Sequence, residues 1–340
     1  MRPVSSPASY GTWLRWAQSV RRGYLLKEDN TMNIAIQPLP FDPSTLNGLS
    51  EKLVRSHHQN NYSGAVKRLN AIRAELGKMP FAAAPGFALN GLKREELIAT
   101  NSMLLHELHF ACLGGETAPM VPAMALALTA SFGSVERWRE EFVAMGKALG
   151  GGSGWVLLTF SPRDGSLVNS WASDHTHAVA GGVPILALDM YEHAYHMDFG
   201  ASAGAWVDAF MGNINWAAVY ARYQHAVHGV GEEFSVSQAD LLASQQGKSP
   251  SAALFDVRRA GVYEQAGQVL PGAQWRDPAT VSQWSAELLP DREVVVYCVY
   301  GHEVGRSTAL RLRAQGINAR FLKGGIDEWQ KANFPLQLKD

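Results

Sequence analysis

Only two cysteines, Cys112 and Cys298, occur in 340 residues. Two thiols cannot build a disulfide framework, which points to a reducing compartment and a cytoplasmic protein. Long apolar runs are also missing, since no stretch of about 18 apolar residues is present to span a bilayer. Neither sign of charge is in excess. Lys plus Arg number 30 against 31 Asp plus Glu, a formal net charge of −1. Neutralising phosphate takes a cationic surplus, so a dedicated nucleic-acid binder is set aside. The hydrophobic content of 46% is ample for packed cores and excludes a largely disordered chain. The length divides naturally into two domains or more.

Residues 1–31 form a basic, serine-bearing tail, with Arg2, Arg15, Arg21, Arg22 and Lys27 set against Glu28 and Asp29. The tail lacks the apolar core of a secretory signal. It reads as disordered, with Met32 a possible start and a transit peptide the alternative. From Leu46 to Leu76 apolar residues recur at spacings of three and four, which predicts helix. Pro80 and Pro85 break it, and further helical runs cover 93–113 and 123–149. After the glycines at 150–154, strands are predicted over 155–160, 167–172 and 184–189, then helix over 206–228. This order reads as α+β. Glycines, serines and Pro250 mark a linker over 229–248, with one short helical turn expected around 238–244. Beyond it strands (253–257, 294–298, 320–322) alternate with helices (281–288, 306–315, 326–332), which predicts a small parallel-sheet α/β domain over 249–340.

Asp189-Met190-Tyr191-Glu192-His193-Ala194-Tyr195 is the most informative segment. An apolar strand delivers Asp189 to its end, and His193 follows four residues later, so both can converge on one ion. His57 lies on the first long helix and His106 on the second. Two facing helices and a strand end can thus supply three imidazoles and one carboxylate. Three nitrogens, one oxygen and an open position suit a redox-active first-row ion better than a closed thiolate zinc site. His106-Glu107-Leu108-His109 invites comparison with a zinc-protease helix, but that motif needs histidines four apart and these are three apart.

The segment at 189–195 resembles the D-x-[W/F]-E-H-[A/S]-[Y/F] signature of iron/manganese superoxide dismutases. Gly152-Ser153-Gly154-Trp155, Ser131-Phe132-Gly133-Ser134 and Asn215-Trp216 match further motifs of that family, and the resemblance covers residues 32–228. It implies one Fe or Mn ion per chain, held by His57, His106, Asp189 and His193. His57 is preferred because Leu69-Asn70 then falls on the family's L-N pair; His58 is the alternative that shifts the helix by one residue. Cys112-Leu113 sets the register of the second helix, placing His109 on a family aromatic. Trp155 would line the pocket. Ser173-Asp174-His175-Thr176 resembles the D-H-Q stretch of the actinobacterial branch, which implies that His175 takes the place of the glutamine that bonds metal-bound solvent; His177 is the other choice. The family's gateway histidine and tyrosine fall on Asn61 and Ala65, the tyrosine after the signature on His196, and the signature tryptophan on Tyr191. Tyr62 and His196 are candidate replacements. Proton delivery would be the step affected.

Cys298 follows a predicted strand and precedes a helix in Cys298-Val299-Tyr300-Gly301-His302-Glu303-Val304. Loop N–H donors at that position are expected to lower the thiol pKa. Leu254-Phe255-Asp256-Val257-Arg258, Pro271-Gly272-Ala273 and Gly324-Gly325-Ile326-Asp327-Glu328-Trp329 resemble rhodanese motifs. They imply a sulfurtransferase whose Cys298 carries a persulfide. Val304 stands where a tyrosine phosphatase needs its arginine, which excludes that chemistry. Glu303 stands where many rhodaneses carry arginine, so the sulfur donor is left open. The expected activity is dismutation of superoxide to O2 and H2O2, joined to sulfur transfer, in a homodimer formed around Glu192 and His193. The alternative is a weakly turning-over metal module whose rhodanese part works in oxidant or chromate stress.

Overall fold

Ser50 opens the first helix by accepting the Leu53 N–H at 3.1 Å, an N-cap that satisfies one free amide of α1 (Glu51–Ser56). The computed structural model describes residues 32–114, 119–246, 252–289 and 292–339, together with Leu25 and Leu26. The expected disordered tail at 1–31 otherwise lies outside the described residues. After α1 comes a π-helical turn, His57–Tyr62, and then α2 (Ser63–Lys78). Buried residues run Leu53, His57, Tyr62, Val66, Leu69. The step of five between His57 and Tyr62 would leave an ordinary helix face; the π turn absorbs the extra residue and keeps all five on one side. A second long helix, α3 (Gly86–Ala111), packs against α2 and buries Met103, His106, His109 and Phe110.

Helices α4 (Pro122–Phe132) and α5 (Val135–Ala148) follow, separated by Gly133 and the Ser134 cap. Strands β1 (Trp155–Phe160), β2 (Leu167–Ala172) and β3 (Val183–Asp189) form an antiparallel sheet in the order β2-β1-β3. Alternation along β1 splits its side chains between two clusters. Val156, Leu158 and Phe160 enter the main core, whereas Trp155 and Leu157 pack with Leu105, Ala172 and Ala187. The second face carries the candidate site.

The single helix expected over 206–228 is two: α6 (Ala203–Gly212) and α7 (Trp216–His228). Asn213 breaks the run by bonding both backbone groups of Asn47 at 2.8 Å, and Asn215 caps α7 through the Ala218 N–H. These side chains compete with the helical ladder for backbone partners.

The C-terminal part is a parallel five-stranded sheet of β4 (Ser235–Val236), β5 (Ala252–Asp256), β6 (Gln274–Trp275), β7 (Glu293–Tyr297) and β8 (Ala319–Leu322), ordered β4-β8-β7-β5-β6. Helices α8 (Gln238–Gln245), α9 (Glu303–Ala314) and α10 (Gly325–Lys331) pack on it. The stretch at 229–248, read as a linker with one helical turn, therefore contributes an edge strand, and the expected turn is the helix α8, whose Leu241 is buried in the C-terminal core. Ser237 caps α8, accepting the Asp240 N–H at 3.1 Å. The two parts are also docked. Leu310 of α9 joins the N-terminal core, and Arg311 donates to the Ala130 carbonyl at 2.7 Å and to Ser131 at 2.8 Å. Among the described residues no helix is long and apolar enough to cross a membrane.

Candidate metal centre

Four elements converge on one carboxylate. Asp189, at the end of β3, is fully buried, and its Oδ2 lies 3.1 Å from His57 Nε2, 3.5 Å from His106 Nε2 and 3.3 Å from His193 Nε2. All four ligand-type atoms fall within 4.8 Å of one another. The π turn brings His57, α3 brings His106, and the turn after β3 brings His193. Gly154 shapes the entry to β1: it sits at φ 138°, and a Cβ there would lie 2.1 Å from the Ala172 carbonyl oxygen. Side chains rarely adopt that conformation, so glycine is required there.

The surroundings fix protonation and orientation. His106 Nδ1–H donates to the Ser102 carbonyl at 2.6 Å, which leaves Nε2 free to ligate. Asp189 Oδ1 accepts the Tyr191 N–H at 2.8 Å, and the Asp189 carbonyl accepts Trp206 Nε1–H at 2.7 Å. Burial alone would raise the Asp189 pKa, but His193 and His57 outweigh it and hold the carboxyl well below the usual range. Burial pushes His57 and His106 down, with the Asp189 charge only partly opposing it. Asp189 is thus held as a carboxylate while His57 and His106 are biased to the neutral form, the protonation that metal ligation needs.

Of the two adjacent histidines, His57 faces this cluster. His58 turns away, its Nε2 lying 2.8 Å from the Gln37 carbonyl. His109 is buried but outside the quartet. Its Nδ1–H donates to the Ala187 carbonyl at 3.1 Å, and the ring stacks on Phe210. Burial, with His57 next, pushes the His109 pKa down to about 4. Between that value and 6.5 the unfolded chain binds a proton that the native chain does not, so stability rises with pH across this window and is lost as pH falls. We expect His109→Phe to flatten that slope by up to about 3 kcal/mol. Urea unfolding at pH 4.5 and 7 reads it, and an unchanged slope contradicts the assignment.

Trp155 Nε1–H donates to His175 Nδ1 at 3.0 Å, so the neutral ring carries its proton on Nε2. The His175 ring centre is 6.2 Å from that of His106. His177 is exposed, bonds Ser173 at 2.8 Å and stacks on Trp171. The suggested replacements for the gateway do not reach the cluster. The Tyr62 phenol donates to Glu107 and accepts the Gln37 N–H, both at 2.8 Å, and His196 is exposed. Tyr191 reaches it instead. Its ring stacks on His175 at 4.8 Å and on His193 at 5.3 Å. Sequence reasoning passed over Tyr191 because it registered only as a departure from the signature tryptophan.

In the C-terminal part, Cys298 directly follows β7 and is 5% exposed. Gly325, at φ 57°, lets the loop pack closely, because a Cβ there would lie 2.4 Å from the Cys298 carbonyl oxygen. N–H groups of Gly305, His302 and Tyr300 bond the sulfur. The expected low thiol pKa is nonetheless not found: burial outweighs these donors and pushes the thiol up, and the Glu303 carboxylate adds to that effect. Cys112 is also raised, by complete burial.

Two family profiles match the chain. "Iron/manganese superoxide dismutases, C-terminal domain" covers residues 120–222, and "Rhodanese-like domain" covers residues 237–332. A superoxide dismutase (Fe) from Cupriavidus metallidurans is 64% identical over 192 residues, 56% of this chain and 97% of the relative. Superoxide dismutase (Mn) 2 from Haloferax volcanii is 32% identical over 199 residues, 58% of this chain and 98% of the relative. A superoxide dismutase (Fe) from Aquifex pyrophilus is 30% identical over 193 residues, 54% of this chain and 89% of the relative.

Proposed function

The chain belongs to the iron/manganese superoxide dismutase family, and on that premise we propose that His57, His106, Asp189 and His193 hold one iron or manganese ion with which the protein dismutates superoxide. The observation that carries this reading is one buried carboxylate oxygen lying 3.1–3.5 Å from three imidazole nitrogens. The donor set fits either metal: three imidazole nitrogens, one carboxylate oxygen and no thiolate. When bound, the ion supplies a one-electron couple, oxidising one superoxide to O2 and reducing a second, with two protons, to H2O2.

The chain's own residues do the rest. Asp189 offsets the charge of the ion from a fully buried position. His175, its Nδ1 engaged by Trp155, presents Nε2–H as a donor beside the ligands. Tyr191, stacked between His175 and His193, shields that side from bulk water. Asn61 and Ala65 bring no acid–base group to the places where the family carries its gateway, so proton supply limits turnover. His175→Ala should keep the ion and lower kcat by about 10–100-fold. His175→Gln should recover much of the loss. Unchanged kcat in the alanine variant, or metal loss in both, would remove His175 from this role.

The rhodanese-like domain supports a second activity. The Cys298 thiolate attacks a sulfane sulfur, a persulfide forms, and the donor leaves with the electron pair of the broken bond. Two free cysteines support a reducing, cytoplasmic setting. The exposed turn at Glu192, next to His193, supports a homodimer through that face.

A further inference from the structure

Outside the quartet, a second group of ligand-type side chains meets where the end of α7 faces the start of α9. Ligand atoms of His228, His302 and Glu303 all lie within 4.8 Å of one another. His228 is exposed, and its ring centre lies 5.1 Å from that of His302, which is also exposed. Beneath them the Glu303 side chain is 6% exposed. Its oxygens accept from two neutral donors of α7, Tyr220 Oη at 2.5 Å and Gln224 Nε2 at 3.2 Å. Two cations lie near, but no ion pair links either to Glu303: Arg306 pairs with Glu232 at 2.7 Å and donates to the Gly301 carbonyl at 3.3 Å, and Arg259 acts on Tyr220. A buried carboxylate costs free energy unless a cation or metal answers it.

We propose that His228, His302 and Glu303 bind a divalent transition cation of the zinc class, with an open position facing solvent. Two imidazoles, one carboxylate and a water make a characteristic open zinc site. Carboxylate and imidazole ligands without thiolate also bind zinc more tightly than iron or manganese. Burial, with Arg306 and His302 adding, disfavours the protonated form of His228 and leaves its nitrogen free to ligate. The bound cation ties α7 to the loop that carries Cys298, because the His302 N–H bonds that sulfur. It also offsets the Glu303 charge beside the thiol.

The test uses the full chain already loaded with iron at the quartet. Zinc is titrated by calorimetry, and iron and zinc are counted after desalting. The expected result is one zinc per chain beyond the iron, with iron content unchanged. His228→Ala and His302→Ala, both at exposed positions, should each weaken zinc binding at least tenfold, and the double variant should abolish it. Glu303→Gln should weaken it as well while keeping the side-chain shape. Zinc uptake matched by iron loss, no zinc beyond the quartet, or equal binding in the double variant would each overturn the site.

Discussion

Asp189→Ala is expected to strip the protein of its iron or manganese, with dismutase activity falling at least about 100-fold. The carboxylate is fully buried and is the one oxygen donor shared by three imidazoles, so no nearby group can replace it. Its removal also takes away the charge that makes a cation welcome in a buried cluster. The histidines on the first helix give the sharpest internal control. His57→Ala should lose metal like Asp189→Ala, because its Nε2 lies 3.1 Å from Asp189. His58→Ala should keep metal, because that ring bonds the Gln37 carbonyl. Elemental analysis of the three purified variants reads the pattern. Metal retained in Asp189→Ala, or the two histidine variants behaving in reverse, would refute the ligand set.

Cys298→Ser should abolish sulfane-sulfur uptake and leave iron or manganese content unchanged. The sulfur is met by the amides of Gly305, His302 and Tyr300, whereas Cys112, the residue after α3, is completely buried and meets one amide, that of Ala187, and the Arg222 guanidinium at 3.4 Å. Burial raises both thiols, so reaction at Cys298 should be slow near neutrality and accelerate as pH rises through the alkaline range. Persulfide formation and alkylation, located by mass spectrometry, check both points. Labelling of Cys112 before Cys298, or sulfur transfer surviving in Cys298→Ser, would show that the loop is not the reactive site.

Much of the fold was legible because its signals are local. The three N-terminal strands stand out as apolar runs closed by glycines, and the alternation beyond residue 249 is that of a parallel sheet. What escaped depends on partners distant in sequence. Asn213 breaks a helix by bonding Asn47, 166 residues away, which no helical periodicity reveals. The polar stretch at 229–248 reads as a linker until β4 is seen to pair with β8. At the site, Asp189 and His193 are read from one short segment that resembles the dismutase signature, and His57 and His106 from the register that the same resemblance implies. The place of Tyr191 between His175 and His193 is set by tertiary stacking. The Cys298 thiol shows the same limit. Loop amides are predictable from a strand–loop–helix pattern, but the burial that outweighs them is a property of the packed domain.

The central claim is that this chain works as an iron- or manganese-dependent dismutase, and metal content measured together with activity tests it most directly. Preparations of the purified protein loaded to different extents should hold up to one iron or manganese ion per chain. Superoxide dismutation in them should rise in proportion to that occupancy. Dismutation independent of iron and manganese, or a fully loaded protein with none, would contradict the account.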